Sequence, residues 1–126
     1  MKETTRSEIW SILNEAFKLI HHAIQKSVPG VAMQARHHYN AAFWFRGYAE
    51  YSARERVIVL YFNIQMKGKQ LHIWGDISRE DGLILKDIVD TTSEYESEDD
   101  NALIEAAKQF ASRCKKESQL IEDGLK

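Results

Sequence analysis

Two histidine pairs, His21-His22 and His37-His38, are the first residues in this chain that could do chemistry, because neutral imidazole is a common zinc ligand. Their spacing argues against a shared ion. Adjacent helical residues project about 100° apart, so His21 and His22 cannot both approach one metal from the same face. No HExxH, no cysteine partner and no nearby H-x-x-E pattern joins them. The expectation is therefore solvated or helix-end histidines, with no metal and no cofactor; near a helix C-terminus a protonated His21 or His22 is favoured by the helix dipole. Cys114 falls on an apolar seam between Ala111 and Ser118, where a small buried thiol is expected rather than a nucleophile. No GxSxG, P-loop or GxGxxG occurs. Asp76, Glu80 and Asp81 group three carboxylates after a strand, a place where acid–base pairs and Mg²⁺ sites occur. Turn residues of this kind are far commoner, and no basic phosphate clamp accompanies them. An alternative reading, a metal-dependent hydrolase or nuclease-like enzyme, rests on these carboxylates converging with His37 and His38.

The elements that must position these residues follow from composition and periodicity. The chain has 126 residues, 44% hydrophobic and 29% charged, which is the balance of a globular protein with one core and sets aside wholesale disorder. One proline and six glycines leave little room for linkers, so residues 1–126 are expected to form a single α+β domain. At the front, Thr5 followed by Glu8 has the form of a capping box and predicts a helix start. Ile9, Ile12, Leu13, Ala16, Phe17, Ile20 and Ile24 then line one helical face, with Trp10, Leu19 and Ala23 widening the stripe until Pro29-Gly30 ends it.

From Ala41 the period changes to two. Phe43, Phe45, Ala49 and Tyr51 share one face of a predicted strand, with Trp44, Arg46, Tyr48 and Glu50 on the other. In the next segment Ile58, Leu60, Phe62, Ile64 and Met66 project to one side, and Lys67-Gly68 suits a tight reversal into a strand with Leu71, Ile73 and Ile77 inward and His72, Trp74 and Asp76 on the reverse. Residues 83–89 fit a helix or a buried strand, and the following Thr91-Thr92 favours a strand. A long helix is predicted from Asp99 or Asp100, with its stripe running through Ile104, Ala107, Ala111, Cys114, Ser118, Ile121 and Leu125, and Gly124 as its stop. The expected architecture is an N-terminal helix, an antiparallel meander of three to four strands and a long C-terminal helix, stacked as a two-layer sandwich.

Charge supplies the functional clue. Seventeen basic against 19 acidic side chains give a net charge of −2, which argues against a nucleic-acid partner on electrostatic grounds. Residues 1–46 hold six basic and three acidic side chains, a net of +3, whereas residues 47–126 hold eleven and sixteen, a net of −5. Seven acidic residues and no Lys or Arg lie between Asp87 and Asp100, a run that usually solvates a loop but can also meet a basic partner. Glu94, Tyr95, Glu96, Glu98 and Asp99 are the candidate partner-binding residues of that rim. Trp44, Arg46, Tyr48, Tyr61, His72 and Trp74 form a second candidate surface, an aromatic wall on the sheet side away from the core. Such a wall can stack exposed bases, but the RNP pattern is missing.

In outline, a small acidic domain with helices flanking a meander resembles bacterial secretion chaperones and toxin-neutralising immunity proteins. The lack of a catalytic constellation beside two candidate recognition surfaces points to a non-enzymatic protein-binding module, and the resemblance implies an immunity, inhibitor or chaperone-like protein whose partner is a basic toxin or effector; a homodimer, or a structural subunit of a larger assembly, is the further alternative. With one cysteine, an acidic rather than apolar N-terminus and no apolar run of bilayer length, the expected location is the cytoplasm, without a membrane partner.

Overall fold

In the computed structural model, which describes residues 1–96 and 100–126, a helix α1 (Glu3–Ile24) leads into five strands and two further helices. The strands are β1 (Ala32–Asn40), β2 (Trp44–Ala53), β3 (Arg56–Lys67), β4 (Gln70–Arg79) and β5 (Ile84–Glu94), followed by α2 (Asp100–Lys115) and α3 (Ser118–Leu125). The strands pair antiparallel in sequence order, β1-β2-β3-β4-β5, so the sheet is a pure meander. Sequence reading expected three or four strands. The additional one is β1, whose alternation is disguised by histidines and alanines. Residues 84–94 form a strand, in line with the β-branched content of that segment.

Strict alternation in the central strands decides which face is buried. Phe45, Ala49, Tyr51, Ile58, Leu60, Phe62, Ile64, Leu71, Ile73 and Ile77 are 4% exposed or less and point towards the helices, where they meet Leu13, Phe17, Ile20, Leu103, Phe110 and Ile121. Phe43, expected on this face, falls in the β1–β2 turn and is 59% exposed. Two glycines let the layers approach: a Cβ at Gly75 would stand 2.5 Å from the Phe110 ring, and one at Gly124 would stand 2.6 Å from Ile58. Gly124 therefore lies within α3 as a packing residue rather than acting as a helix stop.

The single long C-terminal helix is broken in two. Lys116 N–H bonds to the Arg113 carbonyl and Glu117 N–H to that of Cys114, tightening the last turn of α2 and re-aiming the chain. The turn lets Ile121 and Leu125 enter the core over β3, where one continuous rod would have carried them past the sheet end. Lys86 of β5 holds Glu117 at this corner. In α1 the predicted seam is buried except for Ile12, which is only partly so, and Leu19 is 50% exposed; of the widening residues Trp10 makes a second contact, stacking on His37 of β1. Tyr51 ties the layers together, its hydroxyl donating to the Phe17 carbonyl at 2.6 Å from a site where burial pushes the phenol pKa far up.

The capping box does not form. Helix α1 begins two residues before Thr5, with Lys2 at the N-cap position and no side chain of its own as cap. The cap instead comes from the other end of the chain. Asp100, at the start of α2, accepts the Thr5 hydroxyl at 2.6 Å, the Lys2 amide at 2.9 Å and the Tyr95 hydroxyl at 3.1 Å. One carboxylate thus satisfies orphan donors at the α1 terminus and gains from its dipole. Burial alone would raise the Asp100 pKa, but these hydrogen bonds together hold it below its ordinary value.

Replacing Asp100 by alanine should cost about 1–3 kcal/mol in urea unfolding, because the Thr5 hydroxyl and Lys2 amide lose their acceptor. With a folded pKa below the unfolded value of 3.8, the contribution is complete above that value and lost as pH falls through the folded one. The gap between wild type and Asp100→Ala should therefore narrow in strong acid, and a gap that is constant from neutral pH to about pH 2 would contradict this role.

Candidate functional site

All three helices lie on one side of the sheet, leaving the other side without a covering element among the described residues. The bare side is built by the alternate residues of each strand. On β2 these are Trp44, Arg46 and Tyr48, interleaved with buried Phe45, Gly47 and Ala49. The register places Tyr48 opposite Tyr61, Tyr61 opposite Asp76, Arg46 opposite Asn63, and Asn63 opposite Trp74. Gln65 bridges Trp44 and His72 in the same way. Six residues scattered from 44 to 74 in sequence therefore become one continuous patch.

Ring contacts hold that patch in shape before any partner arrives. The Arg46 guanidinium sits 4.8 Å from the Trp44 ring centroid, a cation–π contact that also fixes the direction of the charge. Tyr48 packs between His38 of β1 at 6.2 Å and Tyr61 at 6.3 Å. On the far side His72 stacks on Trp74 at 4.4 Å, and its Nε2 meets Asp90 Oδ1 of β5 at 2.8 Å. The five aromatic and imidazole rings of the wall are all half-buried by their neighbours, whereas Arg46 is exposed. Rings already ordered in this way lose little side-chain freedom on binding, which is the cost that most weakens flexible surfaces. A shallow depression of about 290 Å³, lined by Gln65, Lys67, Gln70, His72 and Thr92, continues the patch towards the β3–β4 turn.

The acidic run is not one loop. Asp87 and Asp90 belong to β5 and face the bare side, opposite Asp76 and Trp74. Glu94 ends β5 opposite Gln70, and Glu96 is exposed just beyond it. Tyr95 turns towards the core, its amide bonded to the Lys69 carbonyl at 2.7 Å and its hydroxyl to Asp100. Glu98 and Asp99 lie outside the described residues. The structure thus joins the aromatic wall to Asp87 and Asp90 rather than to Tyr95 and its immediate neighbours.

The sequence does not single out Arg36 and His38 as part of this surface; Asp76 lies on the face predicted for it, and Asp87 and Asp90, read as part of an acidic run, join the wall through β5. Arg36 and His38 occupy the bare face of β1, opposite Tyr48 and Arg46. Asp76 and Asp87 stand directly across from each other. Burial first, and then the Asp87 charge, raise the Asp76 pKa against the lowering effect of its hydrogen bond with Ser78.

The residues of the metal reading do not converge. His37 and His38 point to opposite faces of β1, and two strands separate them from Asp76 on β4. His37 is enclosed on the helix side by Trp10 and Arg6, whose Nη1 lies 3.1 Å from its Nε2. Burial, followed by the charges of Arg6 and His38, lowers the His37 pKa despite Glu3 nearby. Glu80 and Asp81 sit in the β4–β5 turn, where Asp81 accepts from Arg79 at 2.8 Å and from the Leu83 amide at 3.1 Å. Among the described residues no group of three or more His, Cys, Asp or Glu side chains is placed to hold a metal ion. Cys114 is fully buried, and burial raises its thiol pKa out of the reactive range.

Compared with known proteins, the chain matches no family model, no curated protein sequence and no solved structure.

The Asp76–Asp87 juxtaposition yields a stability test. A folded pKa above the unfolded value of 3.8 means that stability falls as pH rises through that window and that the full penalty persists above it. Asp76→Asn should therefore raise the urea midpoint at neutral pH and leave it unchanged near pH 3. A neutral-pH midpoint equal to or below that of the wild type would show that the two carboxylates do not burden the fold.

Proposed function

We propose that this protein is a non-enzymatic recognition module that binds another polypeptide on the bare face of its sheet. The observation that supports this most directly is the continuous wall of Trp44, Tyr48, Tyr61, His72 and Trp74 on a face where no described element covers it. Soluble monomers seldom leave a large aromatic patch to solvent without a use for it. Aromatic residues with Arg at the centre and charges at the margin are the composition of a protein interface. An immunity, inhibitor or chaperone-like role fits such a surface, and the cytoplasm is its proposed setting, since the buried lone thiol suits a reducing compartment.

The face is not uniformly acidic, which refines the partner expected from sequence. Its β4–β5 side carries Asp76, Asp87 and Asp90, while its β1–β2 side carries Arg36, His38 and Arg46, with Glu50 the one carboxylate among them. A partner must therefore bring cations to one margin and anions to the other, around an apolar middle. A purely basic ligand would satisfy only half of the surface. Nucleic acid fits poorly for the same reason, because its phosphates would have to lie over the three aspartates.

A photoreactive phenylalanine analogue placed at Tyr61 should crosslink to a protein in cells, whereas the same analogue at Ser11, on the exposed side of α1, should not. Tyr48→Glu in the Tyr61-labelled protein should suppress the adduct while keeping the native circular dichroism spectrum and a cooperative urea transition, at a cost of about 1 kcal/mol from the lost ring packing against His38 and Tyr61. Equal crosslinking from both positions, or an adduct indifferent to Tyr48→Glu, would remove the bare face as the working surface.

A further inference from the structure

Resting on that reading of the face as a protein-binding surface, we infer that its partner is a second copy of this chain, packed face to face about a two-fold axis running along β3. Along one row of register partners the bare face reads Arg36, Tyr48, Tyr61, Asp76, Asp87 from β1 to β5. The next row reads His38, Arg46, Asn63, Trp74, Asp90. On these two rows the cations and hydrogen-bond donors lie on the β1–β2 side of β3 and the carboxylates on the β4–β5 side; Glu50, one row further along β2 opposite Gln34 and Val59, is the exception, and in the pairing below it falls over Ser78 rather than over a carboxylate.

A face-to-face pair of identical chains needs its two-fold axis in the plane between the sheets, so that each contact occurs twice. An axis parallel to the strands through β3 places β1 of one copy over β5 of the other. Arg36 then faces Asp87 of the second copy, His38 faces its Asp90, and the Tyr48 hydroxyl faces its Asp76. Arg46 meets the ring of Trp74, and Tyr61 meets Tyr61 at the axis. An axis across the strands would instead set Arg36 and His38 over themselves and the aspartates over aspartates. Charge alone selects the first arrangement, since like charges in juxtaposition are penalised and opposite ones gain.

Three observations converge on this pairing. Neither Arg36 nor Asp87 has an ion-pair partner among the described residues, and both are exposed. Asp76 and Asp87 face each other without a cation between them, a clash that Arg36 of a second copy would relieve. The area is also adequate. Strands of about ten residues, at ~3.3 Å per residue and ~4.8 Å apart, give a five-stranded face of roughly 600–800 Å², near the ~800 Å² that each partner gives to a standard interface. Strands related by this axis run nearly aligned, the ordinary geometry of a two-sheet sandwich.

Sedimentation velocity of the full chain, from about 1 to 200 µM, should show a concentration-dependent species of twice the 14.6 kDa chain mass that weakens with salt. Arg36→Glu alone and Asp87→Arg alone should each weaken self-association by roughly tenfold or more, with unchanged circular dichroism. Mixing the two variants should restore a heterodimer, because each reversed charge then meets the other and the remaining native Arg36 and Asp87 still pair. A chain that stays monomeric throughout, or a dimer indifferent to both reversals, overturns the inference. The photoreactive analogue at Tyr61 separates the two levels: an adduct to a different protein sinks self-pairing and keeps the face as a binding surface, whereas no adduct of any kind sinks both.

Discussion

The constraint on which this structure turns is that a meander has only its two ends available for covering the sheet. Every internal connection is a short reversal, so β1 through β5 use up the middle of the chain in a single layer. Cover for the apolar side must come from α1, entering at the β1 edge, and from α2 and α3, leaving at the β5 edge. These helices need each other as much as they need the sheet. They pack together above it, and Asp100 fastens the start of α2 to the start of α1. Once both ends are committed to one side, no described segment remains for the other. The bare face is thus a consequence of topology, and its aromatic content is what makes it more than a solvated back wall.

The same topology turns an asymmetry along the chain into one across the surface. In a meander, sequence order is spatial order, so the basic first third supplies the β1–β2 margin and the acidic remainder supplies the β4–β5 margin. Net charges of +3 over residues 1–46 and −5 over residues 47–126 describe the sequence, but the sheet lays Arg36, Arg46, Asp76 and Asp87 out as opposed margins. The aromatic band between them lowers the local dielectric when covered, which strengthens whichever charge pairs form at the margins. Such a surface discriminates by orientation: a partner presented the wrong way round meets like charge at both sides.

What could be read from the residues follows the strength of local patterns. Alternation from Ile58 to Met66 and from Leu71 to Ile77 holds except at Asn63, which is buried on the face away from the helices, and both strands, their connecting turn and their two faces lie where the period places them. Strand β1 was illegible because its inward residues are Met33, Ala35, His37 and Tyr39, a set with little contrast against Gln34, Arg36 and His38. His37 is accommodated inward only because Trp10 stacks on it and Arg6 reaches its ring. The break between α2 and α3 leaves no proline or glycine mark, and it is dictated by the reach of Ile121 and Leu125 to the core. Asp100 looked like one member of an acidic stretch. Its bond to Thr5 spans 95 positions, beyond any pattern of neighbours. The aromatic wall is legible as a set of residues, whereas nothing local in the acidic run 87–100 separates Asp87 and Asp90, which β5 brings to the wall, from the acidic residues that follow the strand.

An exposed sheet has two routes to association, along its edges or across its face, and the structure weakens the first. Strand β5 departs twice from regular register with β4, opposite Gly75/Asp76 and opposite Ile77/Ser78, where Ile88 and Leu85 are the extra residues, and such bulges bend an edge strand. Its outward charges, Lys86, Asp87 and Asp90, also discourage a neighbouring strand from adding in register. At the opposite edge, β1 carries Arg36 and His38 on one side and is clamped to α1 through His37 on the other. A strand added there would bring its own side chains against that clamp. With both edges blunted, the apolar area left to bury is the wall of the sheet itself, and the hydrophobic gain from covering Trp44, Tyr48, Tyr61 and Trp74 can be realised only by approach from the front.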